Sequence, residues 1–296
     1  MMEFKEFTEE VKKGLEKLAG KNTEIRIEER LKNNGLKLTG VSALQKGENV
    51  SPVVYLEPYY QSYRDGDSTL NKIVERDAGL LEEHSQTGDI KAHVEEFGDW
   101  EGIRSRIFAK LINADMNREL LQRVPYRVFM DLAVVYYVKV KEFAGGGAGT
   151  ILIDHSHLQQ WGADENMLYE AALSNMEEEG TSVQSMDEIF REAGRNLLPD
   201  PCGMLVLTNR SKVFGASELL RKDILRKLAG KLQDNLVILP SSIHEVIILP
   251  EREAPSEGEA AAMVKEVNDS ELLPEEVLSN HVYRFDWGKD EVYIAA

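Results

Sequence analysis

Phe4, Phe7, Val11, Leu15 and Leu18 recur every three or four positions, a spacing that predicts an amphipathic helix ended near Gly20. The pattern changes in IRIEERL (25–31) and LKLTGVSAL (36–44). These predict two strands joined through Lys32, Asn33, Asn34 and Gly35, because Asn and Gly both tolerate positive φ. PVVYLE (52–57) predicts a third strand. Asp67 or Ser68 is placed to cap a helix carrying Leu70, Ile73, Val74, Leu80 and Leu81. In DWEGIRSRIFAKLI (99–112), Trp100, Ile103, Ile107, Leu111 and Ile112 fit one side of a further helix.

LAVVYYVKV (132–140) has the β-branched and aromatic content of a central strand. Leu132, Val134, Tyr136, Val138 and Val140 share one face; Ala133, Val135 and Tyr137 share the other, which turns polar at Lys139 and Lys141. The glycines of AGGGAG (144–149) invite comparison with a phosphate-binding loop, but that motif needs a helix directly after it. TILID (150–154) reads as a strand, so a hairpin turn is expected. The second half predicts a helix capped by Asp164, a short one after Ser185, and a strand GMLVLTN (203–209). A long helix over 215–232, strands LVILP (236–240) and HEVIILP (244–250), a helix AAAMVKEVN, and strands HVYRFDW (281–287) and VYIA follow. Tight turns between apolar runs favour hairpins. The expected class is α+β, with antiparallel or mixed sheets, helices packed on them and two sub-domains. A weak break near 145–165 suggests an N-terminal α+β region (1–150) and a C-terminal one (151–296), unless the chain is one compact unit.

Composition narrows the function classes. No stretch approaches the roughly 18 consecutive apolar residues of a membrane helix, and MMEFKEFTEEVKKGLEKL lacks the apolar core of a secretory signal. Cys202 is the only cysteine, which fits a reducing cytoplasm. The net charge of −17 disfavours nucleic acid and anionic membrane surfaces as partners.

KLINADMNRELLQRVPYRVFMDLAVVYYV (110–138), ILIDHSHLQQWG (151–162), LTNRSKVFGASELL (207–220), LPSSIHEVIILP (239–250) and LPEEVLSNHVYRFD (273–286), with KNNGLKLTGV near the start, together resemble a bacterial family classed as a domain of unknown function. The second half is also distantly similar to YtpQ-like proteins. The resemblance implies no activity, cofactor or catalytic residue.

Three clusters carry candidate chemistry. In LPSSIHEVIILP, Ser242 and His244 are expected on one strand face and Glu245 on the other. Cβ atoms two positions apart lie roughly 6–7 Å from each other, long for a nucleophile and its base. In IDHSHLQQWG, Asp154, His155 and His157 are metal-ligand types that would need a distant partner such as His244, His281 or Asp286. If Asp154 or Ser156 instead caps a helix, the two histidines diverge. Asn209, Arg210 and Lys212 stand before the long helix and form a candidate anion site.

Single residues add less. Asp131 opens the most apolar strand and is expected to pair with Arg127 or Arg123. Arg221, Lys222, Arg226, Lys227 and Lys231 form a local basic stretch, read as a solvent face, a docking surface for an acidic partner, or a contact with acids of this chain. Cys202 reads as a small residue at a strand start, and His84 and His93 as solvated side chains. The leading expectation is a non-enzymatic interaction or regulatory module with a protein partner and no cofactor. The alternatives are a metal-assisted hydrolase and a small-anion or nucleotide binder.

Overall fold

A computed structural model describes residues 2–46, 53–86, 98–142, 148–192, 194 and 203–295. The glycines 145–147, Cys202, His93 and the side chain of His84 lie outside the described residues. The chain separates into two compact units, Met1–Lys32 with Leu36–Glu96, and Asn33–Gly35 with Phe97–Ala296.

The first unit contains α1 (Phe4–Leu18), β1 (Thr23–Leu31), β2 (Lys37–Gln45), β3 (Val53–Tyr55), α2 (Glu57–Asp65) and α3 (Leu70–Gln86). The strands form an antiparallel sheet in chain order. Asn34 and Gly35 have φ of 58° and 72°, as the Asn-Gly pair predicts. Phe7, Val11 and Leu15 of α1 meet Ile25, Val41, Leu56, Ile73, Val74 and Leu81 in one core. The aromatic-rich run after β3 is a helix: Tyr60 and Tyr63 of α2 pack against Phe4 and Phe7, with ring centroids 5.0 Å (Phe4–Tyr60) and 5.4 Å (Phe7–Tyr63) apart.

The second unit contains α4 (Trp100–Ile103), β4 (Ile107–Asn113), α5 (Arg118–Leu121), β5 (Tyr126–Phe129), β6 (Leu132–Glu142), β7 (Ala148–Leu152), α6 (His155–Trp161), α7 (Glu165–Glu179), β8 (Thr181–Ser185), α8 (Met186–Glu192) and β9 (Leu205–Asn209). A 3-10 segment (Gly215–Leu220), α9 (Lys222–Leu232), β10 (Leu236–Ser242), β11 (Glu245–Pro250), α10 (Glu257–Ser270), β12 (Tyr283–Asp286) and β13 (Glu291–Ile294) follow. One antiparallel sheet has β6 between β4 on one side and β5 and β7 on the other. The other is antiparallel in the order β13-β12-β10-β11-β9-β8. The class is α+β. The sequence break near 145–165 falls within this unit, where β7 pairs with β6.

Two helix expectations are corrected. Only Trp100–Ile103 of 99–112 is α-helical, and Ile107–Asn113 is a strand paired with β6 along its whole length. Ile103, Ile107 and Leu111 satisfy a helical spacing, but Phe108 and Ile112 are buried as well, and burial on both faces suits a strand. The helix expected over 215–232 breaks at Arg221, whose φ and ψ are −88° and 80°. The part before the break is 3-10, and five of its six residues are buried.

β6 is buried from Leu132 to Val138. Leu132, Val134, Tyr136 and Val138 join Ile107, Ala109, Leu111 and, from α7, Leu168, Ala172 and Met176. On the other face, Ala133 and Val135 join Ile112 and Val124.

One acid in the first unit opposes its surroundings. Asp77 lies on the core side of α3, between Ile73 and Leu81, and is 0% exposed. Neither carboxylate oxygen has a hydrogen-bond partner among the described residues. Burial pushes its pKa up to about 6, with Arg76 acting weakly the other way. A carboxyl with a raised folded pKa binds its proton more tightly folded than unfolded. Stability is therefore lost as pH rises from its ordinary value towards 6, and the loss is complete above 6. Asp77→Asn should remove that loss. In urea titrations, the stability difference between pH 3.5 and pH 7 should shift by about 3 kcal/mol in favour of neutral pH relative to wild type.

Candidate functional site

The segment LPSSIHEVIILP forms a hairpin whose turn is Ile243-His244, not the Ser pair. Ser242 ends β10 opposite Glu245, and a register irregularity between Pro240 and Ser242 carries β10 past the proline. His244 is a turn residue and does not share a strand face with Ser242. Its backbone N–H donates to Ser242 Oγ (3.0 Å). Its carbonyl accepts from Thr208 Oγ1 (2.8 Å), and its ring Nδ1 accepts from the backbone N–H of Phe214 (3.1 Å). The imidazole stacks on the Phe214 ring at 5.4 Å and 16°. Burial pushes the His244 pKa down; Glu276 opposes this and Lys110 adds to it. The hydroxyl of Ser242 and the imidazole of His244 thus serve backbone groups, not each other.

The loop that His244 braces follows β9. Asn209 is buried, and its side chain accepts from Val213 N (3.1 Å) and donates to Val213 O (2.8 Å). Lys212 and Phe214 both have φ of 56°, at a cost of about 1–2 kcal/mol each for non-glycine residues. Gly215 then passes so close to β9 and the hairpin turn that a Cβ would stand 2.1 Å from Thr208 Oγ1, 2.6 Å from Asn209 N and 2.7 Å from His244 O. Of the candidate anion residues, Asn209 is committed to its own loop, while Arg210 and Lys212 are exposed. A 3-10 segment follows them instead of an α-helix.

Two acids that the sequence did not single out lie beside this loop. At the end of α7, Glu179 accepts from Lys139 Nζ (2.6 Å), and that ammonium also reaches Ser211 Oγ (3.3 Å) and lies 4.3 Å over the Phe108 ring. Lys110 similarly lies 4.1 Å over the Phe214 ring. Glu218, in the 3-10 segment, is 0% exposed and accepts from Thr181 Oγ1 (2.5 Å). Burial pushes its pKa up to about 7; the Thr181 hydroxyl and Arg221 lower it, and Glu179 raises it. Arg221 itself is held by Asp223 in two hydrogen bonds of 3.0 and 3.1 Å. In sequence, Glu179 ends a run of three glutamates that reads as a solvated helix end. The available signal was Lys139, at the point where the buried strand turns polar. Glu218, wholly buried with its pKa raised to about 7, is a group that can gain or lose a proton near neutral pH.

The remaining candidates are dispersed. Asp154 caps α6, accepting from Ser156 N and His157 N, while His157 Nδ1 accepts from Asp154 N at 3.0 Å. His155 and His281 are exposed, His244 is in the hairpin turn, and Asp286 accepts from Lys289 N. Among the described residues no three His, Cys, Asp or Glu are grouped to hold a metal ion. Asp131 does not pair with Arg127 or Arg123, which bind Glu165 and Glu119. It accepts instead from Ser279 Oγ (2.7 Å) and Tyr283 OH (2.8 Å), because β12 and the segment leading into it bring these hydroxyls to the start of β6. The basic stretch of α9 meets acids of this chain: Arg226 pairs with Asp290 at 2.6 Å, and Lys227 with Asp223 at 3.3 Å.

The fold and its braced loop define an α+β protein with a buried polar cluster at the joint between a strand hairpin and a 3-10 segment. Residues 4–287 match a family of unknown function, DUF5688, and the chain belongs to that family. No curated protein and no solved structure matches the chain.

Gly215→Ala should be among the most damaging single-methyl additions in the chain. The new Cβ meets backbone atoms of β9 and of the hairpin turn, so neither rotamer change nor side-chain movement relieves it. A loss of about 3 kcal/mol is expected in chemical denaturation.

Proposed function

We propose that this protein is a non-catalytic interaction or regulatory module whose second unit binds a protein partner along β5. The supporting observation is an apolar row that runs out of the core onto the surface. Val128 and Tyr126 are 68% and 43% exposed. They lie opposite Ala133 and Val135 of β6, which are buried. Among the described strands β5 pairs with β6 alone, so it borders the sheet. An edge strand carrying exposed β-branched and aromatic side chains is the kind of surface that peptide segments and partner strands cover. Tyr and apolar anchors contribute much of the affinity of such contacts.

The polar chemistry favours the same reading. Ser242, His244, Asn209, Asp154 and His157 each hold a backbone group of their own neighbourhood. The reading assumes a reducing cytoplasm, in keeping with the single cysteine, and a partner other than nucleic acid, in keeping with the net charge of −17. Among the described residues no helix is long and apolar enough to cross a membrane.

Affinity capture from native lysate, comparing wild type with Val128→Glu, tests the proposal. The substitution is at an exposed site and should leave the melting temperature within a degree or two. Capture of a partner should fall at least about tenfold, the effect of losing roughly 1.4 kcal/mol at the interface. Equal capture by both proteins, or a wild-type chain that captures no protein, contradicts the reading.

A further inference from the structure

We propose that Glu218 is a proton-operated latch: with a proton on its carboxyl group, the 3-10 segment Gly215–Leu220 is held against β9 and β11, and loss of that proton loosens it. The latch does not depend on the β5 surface. Its basis is the placement of two acids. Glu218 is wholly buried, with Oε2 bonded to the Thr181 hydroxyl and Oε1 without a partner among the described residues. Glu179 is likewise bonded through Oε1, to Lys139, and has an unpartnered buried Oε2. The charge of Glu179 reaches Glu218 and disfavours ionisation there. A proton on Glu218 removes one of the two charges and turns an acceptor-only group into a donor.

The segment is built so that this proton matters. It starts at the Gly215 contact, where there is no room for slack, and ends at the backbone break of Arg221. Ala216 N donates to Ile243 O (3.3 Å), tying the segment to the hairpin turn. Of the charged groups on the elements around it, Glu179 of α7 and Arg221 and Asp223 at the start of α9 act on Glu218 directly. β4 contributes Lys110, which lies over the Phe214 ring, and β11 contributes Glu245, whose neighbour is Lys212. The hairpin turn contributes His244, which Glu276 and Lys110 influence in opposite directions. Arg210 lies at the end of β9, its backbone N–H bonded to Gly180 O. Opening releases Ala216 and Leu219 from the core and lets the proton pass to solvent.

The sign follows from the two states. In the closed segment the Glu218 pKa is pushed up to about 7; in an open, solvated segment it returns to its ordinary 4.5. Opening is therefore independent of pH below 4.5, grows as pH rises towards 7 and levels off above it. The rise is on the order of a hundredfold. Titration of His244 has the opposite sign, since its lowered pKa makes acid the opening condition. Asp77 belongs to the other unit.

Hydrogen exchange of the intact chain between pH 4 and pH 8, corrected for intrinsic exchange rates and read in peptides over residues 213–221, tests the latch. Wild type should show the rise and the plateau, and Glu218→Gln should show neither. Should Glu218→Gln fail to fold, two milder variants carry the test. Glu179→Gln removes the neighbouring charge and should move the plateau to lower pH; Thr181→Val removes the hydroxyl that donates to Glu218 and should move it to higher pH. A flat wild-type profile, a Glu218→Gln profile like wild type, or a plateau unmoved by both milder variants overturns the proposal.

Discussion

Burial of both faces of β6 is the constraint on which the second unit depends. From Leu132 to Val138 the strand has no solvent face, so one packed layer cannot cover it. α7 supplies Leu168, Ala172 and Met176 to the core that holds Val134, Tyr136 and Val138. On the opposite face, Phe214 reaches Tyr137, with ring centroids 5.1 Å apart at 78°. Phe214 does so from a left-handed backbone, and that conformation has its own supports. His244 Nδ1 takes the Phe214 N–H, Asn209 clamps Val213, and Gly215 makes room for β9. Where β6 leaves the core, Lys139 brings a charge to the boundary and Glu179 neutralises it.

This ordering explains why Ser242, His244 and Asn209 are each bonded to backbone groups. Ser242, His244 and Asn209 stand close together in space as well as in type, yet each is used on the backbone. A strained loop between two hairpins has many unpaired N–H and C=O groups, and side-chain donors and acceptors are what such loops require. Asp131 and its two hydroxyl donors do the same at the other end of β6. Glu218 and Asp77 stand apart because they are wholly buried acids, each with a carboxylate oxygen that has no hydrogen-bond partner among the described residues.

Elements whose signals are local were readable in the sequence. The helix of Phe7, Val11 and Leu15, the Asn34-Gly35 turn, the Asp164 cap and the alternation in β6 all depend on a few adjacent residues. Elements decided by tertiary contact were not. Ile107–Asn113 fits a helix by spacing and becomes a strand because β6 lies alongside it. The segment 215–220 has helical residues but no room to form an α-helix beside β9. The turn at Ile243-His244 depends on a bulge that only the β10–β11 register reveals. The loop 209–214 and His244 were visible as separate points of interest. That they support each other, with Glu179 and Glu218 nearby, depends on contacts between residues up to 30 or more positions apart.

The bracing role of His244 is the claim most directly open to measurement. A nitrogen–proton correlation spectrum of the imidazole ring reports which nitrogen carries the proton. Acceptance of the Phe214 N–H by Nδ1 requires a neutral ring protonated on Nε2 at pH 7, remaining neutral to a pH below the ordinary histidine range because burial disfavours the cation. A ring protonated on Nδ1, or an imidazolium at neutral pH, would contradict it.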